Sequence, residues 1–284
     1  MLTSLVNLYK APYNKQHPVS AIVRFSYWKI IRSFKLKNVT FNLWKNKKIF
    51  LNFDSFQSMW IMYNYIVDWE EFNLIKHYIR PDDQVADVGA NMGFYTIWMS
   101  KFIDEKGMIH SFEPDTENFK KLERNCALNN LKNVKLNKLA LSDENGHISF
   151  TRMLDGENHI SLSTTEETVV VESLTFDNYC NTRDIHKFSY VKVDIEGFEL
   201  FFLKGAHSML LNKKIDIIQM ELNTQVKNSL TQVSQVLDIL VESGYFLCKY
   251  DVEKKCLVKT CYTENRENYF AVSDFDIVNK RLSK

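Results

Sequence analysis

The chain is poor in the residues that break or staple a fold. Its 284 residues include only eight glycines, four prolines and five cysteines. Cys126, Cys180, Cys248, Cys256 and Cys261 are odd in number and scattered, and none belongs to a Cys-x-x-Cys pair. That spacing argues against a zinc site or a disulfide framework and points to a reducing, cytoplasmic setting. No run of eighteen apolar residues occurs, so no spanning helix is expected. The N-terminus also lacks the basic, apolar and small-residue order of a signal peptide, so none is expected. Acidic residues are missing from the whole stretch before Asp54.

What remains is ordinary for a soluble globular protein. Apolar residues make up 45% and charged residues 25%, enough to bury a large core without disulfides. The net charge of +1 conceals an asymmetry. Residues 1–53 carry ten Lys or Arg and no acid, so the remainder stands at −9. This divides the chain into a basic N-terminal extension, 1–54, and a main domain, 55–284. The extension implies an anionic partner. Its stretch Ala21–Lys35 reads as a helix, with Arg24, Lys29, Arg32 and Lys35 on one arc and Val23, Tyr27, Ile30, Ile31 and Phe34 on the other. The reading adopted is a helix docked on the core with its basic face in water. Peripheral association with the inner face of an anionic membrane is the alternative. A hairpin around "WKNKK" follows.

Residues 56–80 read as one helix that Pro81 ends. Strands and helices then alternate. Strands are expected at 84–88, 108–112, 134–139, 190–193, 216–222, 245–250 and 269–272, with helices at 94–102, 117–129, 197–211 and 229–243. Such alternation predicts an α/β, Rossmann-like sheet, mostly parallel and covered on both faces. Residues 147–175 break the rhythm and read as an inserted hairpin or lid.

Two of the eight glycines fall in "VADVGANMGFYTIW", at the end of the first of these strands. A glycine turn there lets a ligand approach the backbone. The spacing Gly89-Ala90-Asn91-Met92-Gly93 lacks the third glycine of G-x-G-x-x-G. Asp87 stands two residues before Gly89 and would repel a diphosphate, but it suits a ligand with an amino group and a sulfonium. Glu113 ends the next strand, 20 residues after Gly93, where an acid can take both hydroxyls of a ribose.

The ordered motifs "DVGANMGFYT", "FEPDTENFKKLERN", "LALSDENG", "ESLTFDNYC", "VKVDIEGFELFFLKGA", "IIQMEL" and "NYFAV" together resemble the FkbM-type S-adenosylmethionine-dependent methyltransferases. The resemblance spans roughly Pro81 to Val272. It implies a seven-stranded methyltransferase sheet with the last strand antiparallel. It also implies S-adenosylmethionine held by the turn Asp87–Gly93, including Ala90 and Asn91, with Glu113 and Pro114 at the ribose. Ser142 and Asp143 would lie near the adenine.

Methyl transfer from a sulfonium requires an aligned acceptor and a group that removes its proton. Asp194 and Glu196 end the fourth strand of the domain and can hold the methionine amino group or the acceptor hydroxyl. Glu221 and Asn223 end the fifth and are the candidates for binding the acceptor's hydroxyls. These four could instead hold Mg²⁺, but the reading adopted is metal-free. His159, in the inserted segment, is the candidate base; His110 and His207 read as packing or surface residues. The favoured activity is O-methylation of a hydroxyl on a sugar, glycan or related small molecule. N-methylation of an amino sugar is the nearest alternative. A nicotinamide-dependent dehydrogenase and a non-catalytic S-adenosylmethionine-binding protein are alternatives of other classes, and nucleic-acid modification ranks low.

Overall fold

The computed structural model describes residues 8–44, 46–151, 168–195, 197–222, 229–266 and 268–284. The extension contributes a hairpin of β1 (Asn38–Asn42) and β2 (Lys48–Asn52). The domain then lays down β3 (Gln84–Val88), β4 (Met108–Phe112) and β5 (Val134–Asn137). A small side sheet follows, made of β6 (Ala140–Leu141), β7 (Gly146–Thr151) and β8 (Thr168–Leu174). The chain returns through β9 (Phe188–Val193), β10 (Ile215–Glu221), β11 (Phe246–Asp251), β12 (Cys256–Lys259) and β13 (Asn268–Val272).

The central sheet has the order β12-β11-β13-β10-β9-β3-β4-β5. The five strands from β10 to β5 are parallel neighbours, and β13 is antiparallel to both β10 and β11. All seven expected strands are therefore present, with the last in sequence antiparallel. An eighth, β12, adds an edge hairpin to β11; its four residues are too short for a periodicity to show. The expected insertion is the β7–β8 hairpin, and the segment between its strands lies outside the described residues.

The sheet alternates with period two between two cores. Val85, Tyr190 and Ile217 join one core with Phe72, Trp98, Ile49 and Leu51. Ala86, Val191 and Ile218 join the other with Phe176, Phe202 and Leu210. The hairpin of the extension thus shares a core with the sheet. Its backbone is also tied to the helix Thr116–Leu128 and its C-cap, where Asn125 Oδ1 accepts the Phe50 N–H and Asn129 Oδ1 accepts the Lys48 N–H, both at 2.7 Å.

Three helical expectations need correction. Residues 56–80 form two helices, Phe56–Asn64 and Trp69–Tyr78. The break falls at Tyr65, whose φ of 65° is left-handed. No glycine marks it; the Tyr65 ring is held by Tyr13, 4.9 Å away, and by the Arg24 guanidinium at 5.0 Å. Residues 197–211 likewise divide, into Glu199–Gly205 and His207–Leu211. A Cβ on Gly205 would stand 2.0 Å from the Ser142 carbonyl oxygen, so only glycine permits that contact.

The N-terminal helix runs from Pro18 to Ser33, and its buried residues are Ala21, Arg24, Phe25 and Trp28. Arg24 is therefore no part of a solvated basic face. Its guanidinium donates to the carbonyls of Met62 (3.0 Å) and Tyr63 (3.3 Å), to Asn14 Oδ1 (2.5 Å) and to Ser20 Oγ (2.6 Å). Met62 and Tyr63 lie in the last turn of a helix, where carbonyls lack intrahelical partners and attract a cation. Val23, Ile30 and Phe34, expected to dock, face outward instead.

Replacing Arg24 by Met should lower unfolding free energy by about 2–4 kcal/mol, through the buried carbonyls it leaves unpaired. Urea titration is the check, with the exposed Lys29→Ala as a control expected to stay within about 0.5 kcal/mol.

Candidate active site

Four polar side chains sit in register across the middle of the sheet. Ser111 on β4 is opposite Asp87 on β3, Asp87 is opposite Lys192 on β9, and Lys192 is opposite Gln219 on β10. All four are buried. Period-two alternation puts them on the same face as Val85 and Tyr190. Asp87 Oδ2 accepts the Thr96 hydroxyl at 2.6 Å, and Thr96 shares a second bond with Ser111. Lys192 Nζ lies 3.5 Å from Asp87 Oδ1 and 3.1 Å from Asp194 Oδ2, and it donates to the Gly89 carbonyl at 3.3 Å. Burial works against the ammonium, yet Asp194 and Asp87 raise its pKa above the ordinary lysine value. Lys192 is held charged.

A cavity of about 210 Å³ opens above this row, at the carboxyl ends of β3, β4 and β9. Strand order reverses between β3 and β9, the place where α/β sheets leave a crevice for ligands. One wall carries Gly89, Ala90, Asn91, Glu113 and Pro114; Lys192 and Asp194 also line it. The tips of β3 and β9 approach so closely that a Cβ on Gly89 would lie 1.8 Å from the Asp194 carbonyl oxygen. With φ of 75°, Gly89 is required on both counts.

The turn spends its own donors inside the protein. The N–H groups of Gly89 and Ala90 go to the Phe112 carbonyl, that of Gly93 to Ala90, and that of Asn91 to Glu113 Oε2 at 2.8 Å. This replaces the sequence argument against a diphosphate. Asp87 is buried beneath the wall and paired with Lys192, so it does not repel a ligand directly; the turn instead has these four N–H groups already committed. Glu113 Oε1 accepts the Asp115 N–H at 2.9 Å. Burial raises the Glu113 pKa to about 7 despite those two backbone bonds.

The other expected residues divide. Gly93 begins the helix Phe94–Met99 and presses on Leu122, away from the cavity lining. Ser142 and Asp143 do not line the cavity, although Leu139, Ala140 and Leu141 immediately before them do; the Ser142 hydroxyl donates to Asp143 Oδ1 at 3.1 Å. Glu221 ends β10 opposite Asn268 and does not line the cavity. Glu196, Asn223 and His159 lie outside the described residues. Among the described residues no group of three His, Cys, Asp or Glu side chains is placed to hold a metal ion. His110 is buried between Tyr179 Oη and Gln84 Oε1, and burial lowers its pKa to about 4. His207 is exposed.

Several lining residues escaped the sequence reading. Gln57, Trp60 and Asp68 come from the helix Phe56–Asn64 and the break after it. Asp68 Oδ2 accepts the Tyr95 hydroxyl at 2.6 Å; Gln219 Nε2 donates to the Tyr95 oxygen, and Tyr190 donates to Gln219 Oε1. Burial, then the nearby Asp68, pushes Glu71 well above the ordinary carboxylate range. Lys192 did carry a signal: it stands two residues before Asp194 and therefore on the same side of the strand.

The Methyltransferase FkbM domain model matches residues 87–247, and the chain belongs to that methyltransferase family. Hexuronic acid methyltransferase AglP of Haloferax volcanii is 25% identical over 174 residues, covering 61% of this chain and 71% of that protein. The solved Methyltransferase FkbM of Methylobacillus flagellatus KT is similar at 15% identity and a TM-score of 0.43, over 76% of this chain and 53% of that one. A SAM-dependent methyltransferase from Aquifex aeolicus is similar at 16% identity and a TM-score of 0.39, over 71% and 87%.

Lys192→Met should cost about 3–5 kcal/mol of stability, because it strands the buried Asp87 carboxylate. Pairing it with Asp87→Asn should recover part of that loss, giving a coupling energy measurable in a double-mutant cycle by chemical denaturation.

Proposed function

We propose that the protein transfers a methyl group from S-adenosylmethionine to a hydroxyl of a sugar or related glycan. One observation carries this reading. The cavity at the β3/β9 switch point is lined by a ribose-type acid and a glycine turn together with the carboxylate, amide and indole groups of Asp68, Gln57 and Trp60.

The residues present fit the cofactor. Glu113 uses one lone pair of each oxygen on a backbone N–H, which leaves acceptor capacity for a ribose diol. Pro114 lies beside it, Gly89–Asn91 offer close backbone approach, and Asp194 suits the amino group. Asp87 acts from beneath, by fixing Lys192. Leu139–Leu141, followed by Ser142 and Asp143, suit the adenine. When bound, the sulfonium supplies an activated methyl group.

The acceptor side does the rest. The Trp60 indole gives an apolar face for a sugar ring, and Gln57 and Asp68 give hydroxyl partners. Asp68 takes the acceptor's proton. Tyr95 orients its carboxylate through the 2.6 Å hydrogen bond to Asp68 Oδ2. His159 and Glu196 are the further proton-handling candidates; Glu221 and Asn223 are candidates for contact with an acceptor that extends beyond the cavity. The name of the Haloferax volcanii relative, a hexuronic acid methyltransferase, supports a sugar as acceptor. The scattered thiols favour a reducing compartment, the cytoplasm.

A screen with methyl-labelled S-adenosylmethionine against sugars, amino sugars, uronic acids and glycan extracts should label a hydroxyl-bearing saccharide. Label on the nitrogen of an amino sugar would contradict the O-methylation reading. Asp68→Asn should lower kcat by about 10²–10⁴-fold while leaving S-adenosylhomocysteine affinity unchanged.

Glu113 adds a pH dependence. Its carboxylate is ionised only as pH rises through about 7, and the ionised form is the stronger acceptor of ribose hydroxyls. S-adenosylhomocysteine affinity should therefore hold above pH 8 and fall about tenfold below pH 6. Glu113→Gln should flatten that profile.

A further inference from the structure

The outward side of the N-terminal helix is an apolar stripe. Val19, Ile22, Val23, Ile30 and Phe34 are 74, 45, 61, 55 and 70% exposed. Their spacing is that of one helical face, and it is separate from the inward face of Ala21, Arg24, Phe25 and Trp28. The helix therefore has a docked side already satisfied and a second apolar side with no described residue covering it. Lys29, Arg32, Lys35 and Lys37 are exposed on the same segment. No acid occurs before Asp54.

We infer that this stripe seats the protein on an anionic lipid bilayer. A second copy of the chain is the poorer occupant, because it would bring two such unneutralised segments face to face. An anionic bilayer meets both features at once. The headgroup boundary receives the apolar side chains, and the headgroups neutralise the lysines. The neighbouring helix Phe56–Asn64, on which the N-terminal helix packs, carries Gln57 and Trp60 in the cavity wall. Phe56 and Trp60 stack there with centroids 6.0 Å apart and remain exposed. The acceptor wall and the bilayer-facing helix thus belong to one packed unit. If the proposed sugar methylation holds, a lipid-carried saccharide is the acceptor this arrangement favours; the docking itself does not depend on that reading.

The test is vesicle flotation of the full chain without cofactor or acceptor. Wild-type protein should float with vesicles of phosphatidylcholine mixed with phosphatidylglycerol and bind phosphatidylcholine alone at least about tenfold more weakly. Val23→Glu/Ile30→Glu alters only exposed positions and should weaken binding to the mixed vesicles by about tenfold or more. Its thermal midpoint should stay that of the wild type. Equal binding to both vesicle types, no binding at all, or full binding by the double variant would each overturn the inference. So would a dimer in sedimentation velocity that the double variant dissolves, which would assign the stripe to a second copy. Flotation by a protein that methylates no saccharide would leave the docking standing and remove the sugar reading.

Discussion

The Lys192 ammonium, buried between Asp87 and Asp194, sets the level at which the switch-point cavity begins. A buried charge survives only when its partners are fixed. Here they are fixed by register: Ser111, Asp87, Lys192 and Gln219 occupy matching positions on four adjacent strands. A one-residue slip of β9 would turn Lys192 into the opposite apolar core. The row thus ties the alignment of the parallel strands to the floor of the site. Just above it, the Gly89–Asp194 approach closes the gap between β3 and β9.

The two halves of the site have different origins. The wall of Gly89, Glu113 and Pro114 belongs to the alternating domain that the family model covers. Gln57, Trp60 and Asp68 add to the lining from residues ahead of the matched range. Their placement depends on the chain break at Tyr65, which is braced by Tyr13 and Arg24 of the extension. The extension is therefore coupled through packing to the part of the cavity lining that Gln57, Trp60 and Asp68 supply.

Local patterns were legible in the sequence and pairings were not. The seven strands and the glycine turn are legible in short stretches whose chemistry is complete within a few residues. Asp87 is marked by its place two residues before the turn, but its partner Lys192 stands more than a hundred residues away and is specified only by strand register. Asp68 gives no sign in the sequence, because a tyrosine in a left-handed conformation leaves no compositional mark. The helical wheel of the extension grouped Arg24 with the solvated lysines. It could not register the open carbonyls of Met62 and Tyr63 that draw that guanidinium inward and turn Val23, Ile30 and Phe34 outward.

The central claim is that the glycine turn and Glu113 hold a sulfonium nucleoside rather than a dinucleotide. Isothermal titration calorimetry of the purified protein with S-adenosylhomocysteine and, separately, with NAD tests it most directly. The account predicts saturable one-to-one binding of S-adenosylhomocysteine and no measurable heat of binding with NAD. Saturable binding of NAD with none of S-adenosylhomocysteine would contradict it.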